Sequence, residues 1–249
     1  MLVAQISDTH IATANAAAGQ RVADLARTID AINALPVRPD VVVHTGDVSH
    51  DASADDYAAA RRELARLRCP VLATVGNRDR RDSFREAFAP DGYLDAASPF
   101  IQYAADVAGL RLVAVDTLDE HSALGGYCPD RAARLEQLLR GHGGPVLVFL
   151  HHPPVELPDL KGPALQFRDV GEAGSLARVI AERSGIVAVI SGHVHRSRSA
   201  AIGAVPLSTM GSIAADLNRE ALPAALKGRP VYHLHRIDGM GMSSVSVVV

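Results

Sequence analysis

The sequence predicts an α/β protein in which mixed β-sheets are covered by helices, and two observations support this fold class. Short apolar runs alternate with helical patterns from residue 2 to residue 190, whereas strand-like pieces follow one another after residue 199. Alternation is typical of parallel strands joined by helices, and consecutive strands are typical of antiparallel pairs. The chain has 249 residues, of which 48% are hydrophobic. We therefore expect one domain spanning residues 1–249, with a sizeable buried core.

Six apolar runs predict the buried strands. They cover residues 2–6, 41–43, 71–75, 111–115, 146–150 and 186–190. Continuous apolar strands are typical of sheets that are covered on both faces. Shorter β-like pieces predict strands near the end of the chain, at residues 201–204, 231–237 and 243–249.

Apolar residues recurring at three- and four-residue steps predict four helices between these strands. The helices cover residues 22–35, 53–67, 130–140 and 174–183. Ser53 followed by Asp56 resembles a capping box at the start of the second helix. Three longer irregular stretches remain, at residues 117–129, 153–170 and 210–230. Loops of this length often carry function.

Composition excludes several classes of protein. Lys and Arg number 25 against 28 Asp and Glu, so the formal net charge is −3, and a generally basic nucleic-acid binder is not expected. No apolar run reaches the length of about 18 residues that a membrane span needs. Two cysteines, Cys69 and Cys128, cannot form a disulfide framework, and no signal-like segment precedes the first strand. These features favour a cytoplasmic protein.

Oxygen and imidazole donors follow five of the predicted strands. The segments are Asp8-Thr9-His10, Gly46-Asp47, Gly76-Asn77-Arg78-Asp79, His151-His152 and Gly192-His193-Val194-His195. Each segment alone is explained by turn or capping chemistry, but ligand sites in open α/β sheets lie beyond the carboxyl ends of strands. If the backbone stays extended, the two-residue spacing of Asp8 and His10 places both side chains on one side. Taken together, the five segments indicate a shared ligand site.

In this order the motifs resemble those of the calcineurin-like metallophosphoesterases, over residues 8–195. Residues 46–51 and the His151-His152-Pro153-Pro154 segment are similar to class III cyclic nucleotide phosphodiesterases and their glycerophosphodiesterase relatives. The resemblance implies a four-layer α-β-β-α sandwich of two mixed sheets flanked by helices. It also implies metal-dependent hydrolysis of phosphodiesters, with 3′,5′-cyclic nucleotides or small glycerophosphodiesters as candidate small-molecule substrates. Relatives of this type often form homodimers or larger homo-oligomers.

The resemblance further implies a site for two divalent or mixed-valence transition metal ions. The expected ligands are Asp8, His10 and His195 for one ion, Asn77, His151 and His193 for the other, and Asp47 as a bridge. A set of nitrogen and oxygen donors without thiolates suits manganese, iron, cobalt, nickel or zinc, and does not distinguish among them.

Other polar residues have expected roles around this site. Asp79 is expected to accept a hydrogen bond from a ligand such as His10 without touching a metal. His152 is expected either to support a ligand or to contact the substrate. Bland roles are favoured for the remaining histidines. His44 is expected in the core, with support of the site as the alternative. His50 and His121 are expected on surface loops, with contact to a substrate as the alternative, and His233 and His235 are expected to be exposed on a late strand.

Arg78 occupies the position at which the family motif has histidine. A guanidinium binds phosphate oxygens in a bidentate manner, but its pKa above about 12 makes it a poor proton donor. We therefore expect Arg78 to be catalytic by holding the substrate phosphate, and Asp47 to be catalytic as the bridge between the two ions. The Gly-Asn-Arg-Asp sequence also resembles that of the bacterial UDP-2,3-diacylglucosamine pyrophosphohydrolases.

That second resemblance leaves an alternative function open, the cleavage of a nucleoside-diphosphate lipid. Such an enzyme needs an apolar lid, which Ile213, Leu217, Leu222 and Leu226 at near-helical spacing would supply, although core packing also explains them. A third alternative is a non-catalytic binding scaffold with the same fold. It ranks last, because scaffolds lose metal ligands and all seven expected ligands are present.

Overall fold

The computed structural model describes residues 1–14, 16–157, 160, 163–238 and 241–249. The strands of these ranges are β1 (Leu2–Ile6), β2 (Val41–His44), β3 (Val71–Ala73), β4 (Tyr103–Val107), β5 (Leu110–Val115), β6 (Val146–Leu150), β7 (Ile186–Ser191), β8 (Arg198–Ile202), β9 (Val205–Thr209), β10 (Val231–Asp238) and β11 (Gly241–Val248). The helices are α1 (Ala18–Asn33), α2 (Ala54–Leu64), α3 (Arg81–Phe88), α4 (Pro129–Leu139) and α5 (Val170–Glu182).

The strands form two mixed sheets. The first has the order β11-β10-β1-β2-β3, with β1, β2 and β3 parallel and β10 and β11 antiparallel. The second has the order β4-β5-β6-β7-β9-β8, in which β5, β6, β7 and β9 are parallel and the edge strands β4 and β8 are antiparallel. This arrangement of mixed sheets with flanking helices confirms the predicted fold class.

The core explains why β6 is apolar at every position. Leu147 and Phe149 belong to a cluster that includes the first sheet and helices α1 to α3, whereas Val146, Val148 and Leu150 belong to a second cluster with α4 and α5. Successive side chains of a strand point to opposite faces. The second sheet therefore buries one face against the first sheet and the other against helices, which gives four layers.

Three elements, α3, β4 and β9, are not predicted by the sequence pattern. Helix α3 has only two buried apolar residues, Phe84 and Phe88. Strand β4 is a half-exposed edge strand that contains two alanines and an aspartate, and β9 contains Pro206, a residue that argues against a strand. The predicted strand at residues 201–204 covers the last two residues of β8 and the turn that follows, where Gly203 has a φ of 59°.

Core packing, the other explanation of the apolar residues in the stretch 210–230, holds for Ile213, whereas Leu217 lines a cavity described below. Ile213 is fully buried in the core and its backbone N–H donates to the carbonyl of Ser7 at 3.0 Å. The only helical turn in this stretch is Ala224–Leu226, so the near-helical spacing does not build an amphipathic helix among the described residues. Within the stretch 153–170, residues 158, 159, 161 and 162 lie outside the described residues. None of the described helices combines the length and apolarity needed to cross a bilayer.

The prediction that His233 and His235 are exposed is wrong. Both side chains are buried on β10, an interior strand of the first sheet. His233 Nε2 lies 2.9 Å from the hydroxyls of Ser197 and Ser246, and His235 lies 2.7 Å from Ser244 Oγ and 2.9 Å from Gln5 Oε1. Hydroxyl and amide partners compensate the loss of water, which is why polar side chains are tolerated there.

Candidate metal centre

The carboxyl ends of strands from both sheets meet at one edge of the molecule. Asp8 and His10 follow β1, Asp47 follows β2, Asn77 follows β3, His151 follows β6, and His193 and His195 follow β7. The backbone N–H of His193 donates to Asp8 Oδ2 at 3.1 Å, which connects the second sheet to the first. The structure thus brings together all seven side chains that were predicted as metal ligands.

A first group of donors consists of Asp8, His10 and His195. His195 Nε2 lies 3.1 Å from Asp8 Oδ1 and 3.3 Å from His10 Nε2, and His10 Nε2 lies 3.8 Å from Asp8 Oδ1. Asp8 Oδ1 is buried and has no hydrogen-bond partner among the described residues. An unsatisfied buried carboxylate oxygen beside two imidazole nitrogens fits a cation, because a cation would satisfy all three donors at once.

A second group consists of Asn77, His151 and His193. Asn77 Oδ1 lies 3.0 Å from His193 Nδ1 and 3.2 Å from His151 Nε2. His151 is fully buried, whereas Asn77 and His193 are half-buried and line an open cavity. This group offers one amide oxygen and two imidazole nitrogens, and no charge of its own.

Asp47 lies between the two groups. Its Oδ2 atom is 3.4 Å from His10 Nε2, in the first group, and 3.5 Å from His151 Nε2, in the second. Its other oxygen, Oδ1, accepts a hydrogen bond from the backbone N–H of Arg78 at 2.7 Å. That bond fixes the carboxylate and leaves Oδ2 facing both groups.

The donor residues converge through left-handed backbone conformations. Five of them have positive φ: Asp8 (53°), His10 (43°), Asp47 (54°), His193 (71°) and His195 (54°). The extended backbone on which the two-residue spacing argument relied is therefore absent, and that part of the prediction is wrong. Non-glycine residues in this region carry strain of about 1 kcal/mol or more each, although Asp and His adopt it more readily than most.

Glycines precede three of the seven donor residues, Asp47, Asn77 and His193, because neighbouring groups leave no room for a side chain. A Cβ atom on Gly76 would collide with Asp47 Oδ1, and one on Gly192 would collide with Ser7 Oγ and lie 2.7 Å from Asp8 Oδ2. The Gly-Asn and Gly-His pairs of the sequence are thus explained by close packing around the carboxylates.

Backbone and side-chain acceptors orient the imidazoles. His195 Nδ1 donates to the carbonyl of Leu217 at 3.0 Å, and His151 Nδ1 donates to the carbonyl of Thr45 at 2.8 Å. His193 Nε2 lies 3.0 Å from Gln166 Oε1, which leaves its Nδ1 facing Asn77. A proton held on one ring nitrogen leaves the other with a lone pair for a metal, and such partners are usual around ligating histidines.

The electrostatics keep the two carboxylates ionised. Burial alone raises the pKa of Asp8 and Asp47, but His195 at Asp8 and His151 at Asp47 outweigh it and hold both values below the usual range. Burial lowers the pKa of His10 to about 4 and that of His193 to about 3. Burial also lowers the pKa of His151, but Asp47 overrides that effect and raises it to about 9.

Asp79 does not act on His10 as expected. Its carboxylate accepts hydrogen bonds from the backbone N–H groups of Val48 (3.2 Å), Ser49 (3.1 Å) and Gly76 (2.9 Å) and from the hydroxyl of Tyr57 (2.8 Å). It therefore ties the loop that carries Asp47 to the loop that carries Asn77. The expected role as a hydrogen-bond acceptor is right and the expected partner is wrong, because backbone N–H donors leave no side-chain pattern in a sequence.

His152 is fully buried and does not line the cavity, so the substrate-contact alternative is not supported. Its Nδ1 lies 2.9 Å from Thr117 Oγ1, and its ring centroid is 4.4 Å from that of His193. His44 is also buried, with its nitrogens engaged by Thr9 and Gly46. His50, predicted on the surface, is half-buried and lines the cavity, whereas His121 is exposed.

A cavity of about 710 Å³ opens onto both groups. Arg78 lines it and is exposed, as a residue that binds substrate must be. Sequence reasoning missed three polar lining residues, Gln166, Arg196 and Arg219. Gln166 and Arg219 lie in the irregular stretches 153–170 and 210–230, whose conformation the sequence pattern did not predict.

Comparison with known proteins assigns the family. Residues 1–197 match the model of the calcineurin-like phosphoesterases, and the chain belongs to that family. It is accordingly a phosphoesterase, a hydrolase of a family that uses divalent metal ions.

Two curated relatives and one solved structure illustrate the similarity. The chain is 32% identical to a glycerophosphodiester phosphodiesterase of Enterobacter lignolyticus, over 83% of this chain and 77% of the relative. It is 29% identical to a probable cyclic nucleotide phosphodiesterase of a Synechococcus species, over 89% of this chain and 84% of the relative. A dimetal phosphatase from Danio rerio superposes with a TM-score of 0.74 at 15% identity, covering 100% of this chain and 98% of that one. The last similarity concerns the fold alone.

Proposed function

We propose that this protein is a two-metal phosphodiesterase that hydrolyses 3′,5′-cyclic nucleotides or small glycerophosphodiesters. The observation that carries the proposal is the position of Asp47 Oδ2, within 3.5 Å of an imidazole nitrogen from each donor group. A carboxylate oxygen shared by two sets of ligands is the arrangement that a pair of neighbouring cations requires. The names of the two curated relatives supply the candidate substrate classes.

In this proposal each donor group would hold one ion. The ligands of the first would be Asp8, His10 and His195, those of the second would be Asn77, His151 and His193, and Asp47 would serve both. Nitrogen and oxygen donors without thiolate fit manganese, iron, cobalt or zinc. When bound, two such cations supply Lewis-acid charge to a phosphate ester and make water more acidic.

The protein's own groups position the reaction. Asp79 and the backbone N–H of Arg78 hold the Asp47 loop, so the bridging carboxylate does not need to reorganise during the reaction. Arg78 lines the cavity, and its guanidinium would bind the non-bridging oxygens of the phosphate. Because arginine does not release its proton, the leaving group takes a proton from water or from another residue.

The experiment compares diester with monoester hydrolysis. The manganese-loaded protein is assayed on bis(p-nitrophenyl) phosphate and p-nitrophenyl phosphate, and then on 3′,5′-cAMP and 2′,3′-cAMP. We expect the diester to be preferred over the monoester. Preference for the monoester would contradict the diesterase assignment.

A matched pair of variants links any activity to the site. Asp47→Ala removes the shared carboxylate and is expected to abolish hydrolysis, since two cations without it repel each other. Asp51→Ala removes an exposed carboxylate four residues away and serves as the control. Equal activity of the two variants would show that the hydrolysis arises elsewhere.

A further inference from the structure

More arginine residues line the cavity than one phosphodiester needs. They are Arg78, Arg196 and Arg219, and among the described lining residues Asp47 is the one carboxylate. Asp47 faces His10 and His151 inside the site, so it forms an ion pair with neither Arg78 nor Arg219. The arginines occur in a chain whose formal net charge is −3, so general basicity does not explain them.

Hydrogen bonds attach Arg219 and Arg196 to the loop that carries a candidate metal ligand. The backbone N–H of Arg219 donates to the carbonyl of His195 at 2.9 Å, and Arg196 Nε donates to the carbonyl of Arg219 at 3.0 Å. The ring of His195 in turn donates to the carbonyl of Leu217 at 3.0 Å. These three hydrogen bonds join the loop of His195 to the segment of residues 217–219, so the backbone of Arg219 is fixed beside the candidate metal ligand.

The guanidinium groups of Arg78 and Arg219 form no ion pair with another residue of the described ranges. Arg78 and Arg219 also come from different segments, one after β3 and the other in the stretch 210–230. Arginine at a cavity wall binds phosphate through two parallel hydrogen bonds, and several such residues concentrate anions at the opening.

Resting on the proposed function, we infer that Arg219, held in place by Arg196, forms a subsite for a second anionic group of the substrate. Arg78 binds the phosphate that is cleaved, and the subsite binds a second phosphate of the same small molecule. The preferred substrate class is then a phosphodiester that carries an additional phosphate group, rather than a singly charged cyclic nucleotide.

Two nucleotide esters test this inference because they differ only in the extra charge. Thymidine 5′-(p-nitrophenyl phosphate) and its 3′-phosphorylated form share the scissile bond and the leaving group. For the manganese-loaded protein we expect kcat/KM to be at least about tenfold higher for the 3′-phosphorylated ester, the gain typical of a charge-assisted arginine contact. Both kcat/KM values are measured on one enzyme preparation. Incomplete folding or incomplete metal loading lowers both values equally and therefore does not change their ratio.

Variants assign the preference to the subsite. Arg219→Gln, and more strongly the double variant Arg196→Gln/Arg219→Gln, should move the ratio towards one, and Arg219→Lys should restore part of it. Arg62→Gln removes one positive charge from the exposed face of α2 and should leave the ratio as in the unaltered protein. A ratio that falls equally in Arg62→Gln would assign the preference to overall charge and overturn the subsite.

Binding provides a readout that does not depend on turnover. Calorimetry should show thymidine 3′,5′-bisphosphate binding about tenfold more tightly than thymidine 5′-monophosphate, with the difference lost in Arg219→Gln. Hydrolysis of both esters with a ratio near one would overturn the subsite while leaving the proposed phosphodiesterase intact. A high ratio that survives in the double variant would also overturn it, since the second phosphate would then be held elsewhere. Hydrolysis of neither ester, with no binding, would remove the proposed function and the subsite together.

Discussion

The two donor groups of the site differ in charge and in access. The group of Asp8, His10 and His195 is buried and contains a carboxylate of its own, in addition to the shared Asp47. The group of Asn77, His151 and His193 has only neutral donors of its own, and two of its members line the open cavity. Affinity for a divalent cation rises with the number of charged ligands and with protection from water. The comparison therefore predicts a firmly held first ion and a more readily exchanged second one.

The largest effect is expected from Asp8→Asn. Asparagine matches aspartate in size and tolerates the left-handed backbone at this position, so the change removes mainly charge. We expect kcat/KM for bis(p-nitrophenyl) phosphate to fall by about 10³-fold or more, the scale of losing a principal electrostatic group. Elemental analysis should show a loss of bound metal. Asp51→Asn is the control, and an equal effect of the two changes would refute the role given to Asp8.

Asn77→Ala should have a smaller effect that added metal reverses. The change removes one neutral ligand from the group that opens to the cavity, so we expect a loss on the order of 10²-fold at low metal concentration. The metal content should fall from two ions per chain towards one. If Asn77→Ala lost its metal more completely than Asp8→Asn, the predicted ranking of the two groups would be reversed.

Arg78 provides a test of the substrate side of the site. Arg78→Met should lower kcat/KM by about 10- to 100-fold, because one charged phosphate contact is lost, and Arg78→Lys should retain part of the activity. Arg78→His introduces a group that titrates near neutrality, so its pH–rate profile should gain a group on the acid side. An unchanged rate and an unchanged profile in Arg78→His would show that this position does not contact the phosphate.

The smallest effect concerns stability, and it contrasts the site with the buried histidines that lack a carboxylate partner. Burial lowers the pKa of His233 to about 4 and that of His235 to about 3. As the pH falls from about 6.5, where a free histidine titrates, the unfolded chain binds protons that the folded chain excludes. The free energy of unfolding should therefore decrease with decreasing pH, by on the order of 3 kcal/mol for His233 by pH 4.

Urea unfolding at a series of pH values measures this slope for the unaltered protein and for His233→Gln. The variant should be less sensitive to acid between pH 6.5 and pH 4, whatever its stability at pH 7. Identical slopes would show that His233 does not titrate differently in the folded and unfolded states.

Strand positions and donor identities could be predicted from the sequence because both depend on local patterns. The predicted bounds of β1 and β6 match the observed ones, because each strand is a continuous apolar run and the polar residues that follow it mark its end. Strand β4 and helix α3 could not be found, because their few buried residues give no periodic signal.

The way in which the donors converge could not be predicted. Asp8 and His10 meet their partners through positive φ values, which Asp and His adopt only when tertiary contacts compensate the strain. The position of Arg219 at the cavity could not be predicted for a related reason. This arginine lies in no motif, and its backbone bonds with His195 and Arg196 place it at the cavity.

Anomalous diffraction from a manganese-loaded crystal tests the central claim most directly. The account predicts two manganese peaks per chain, one beside Asp8, His10 and His195 and one beside Asn77, His151 and His193, with Asp47 Oδ2 in contact with both. A single peak, or two peaks that do not share Asp47, would contradict it.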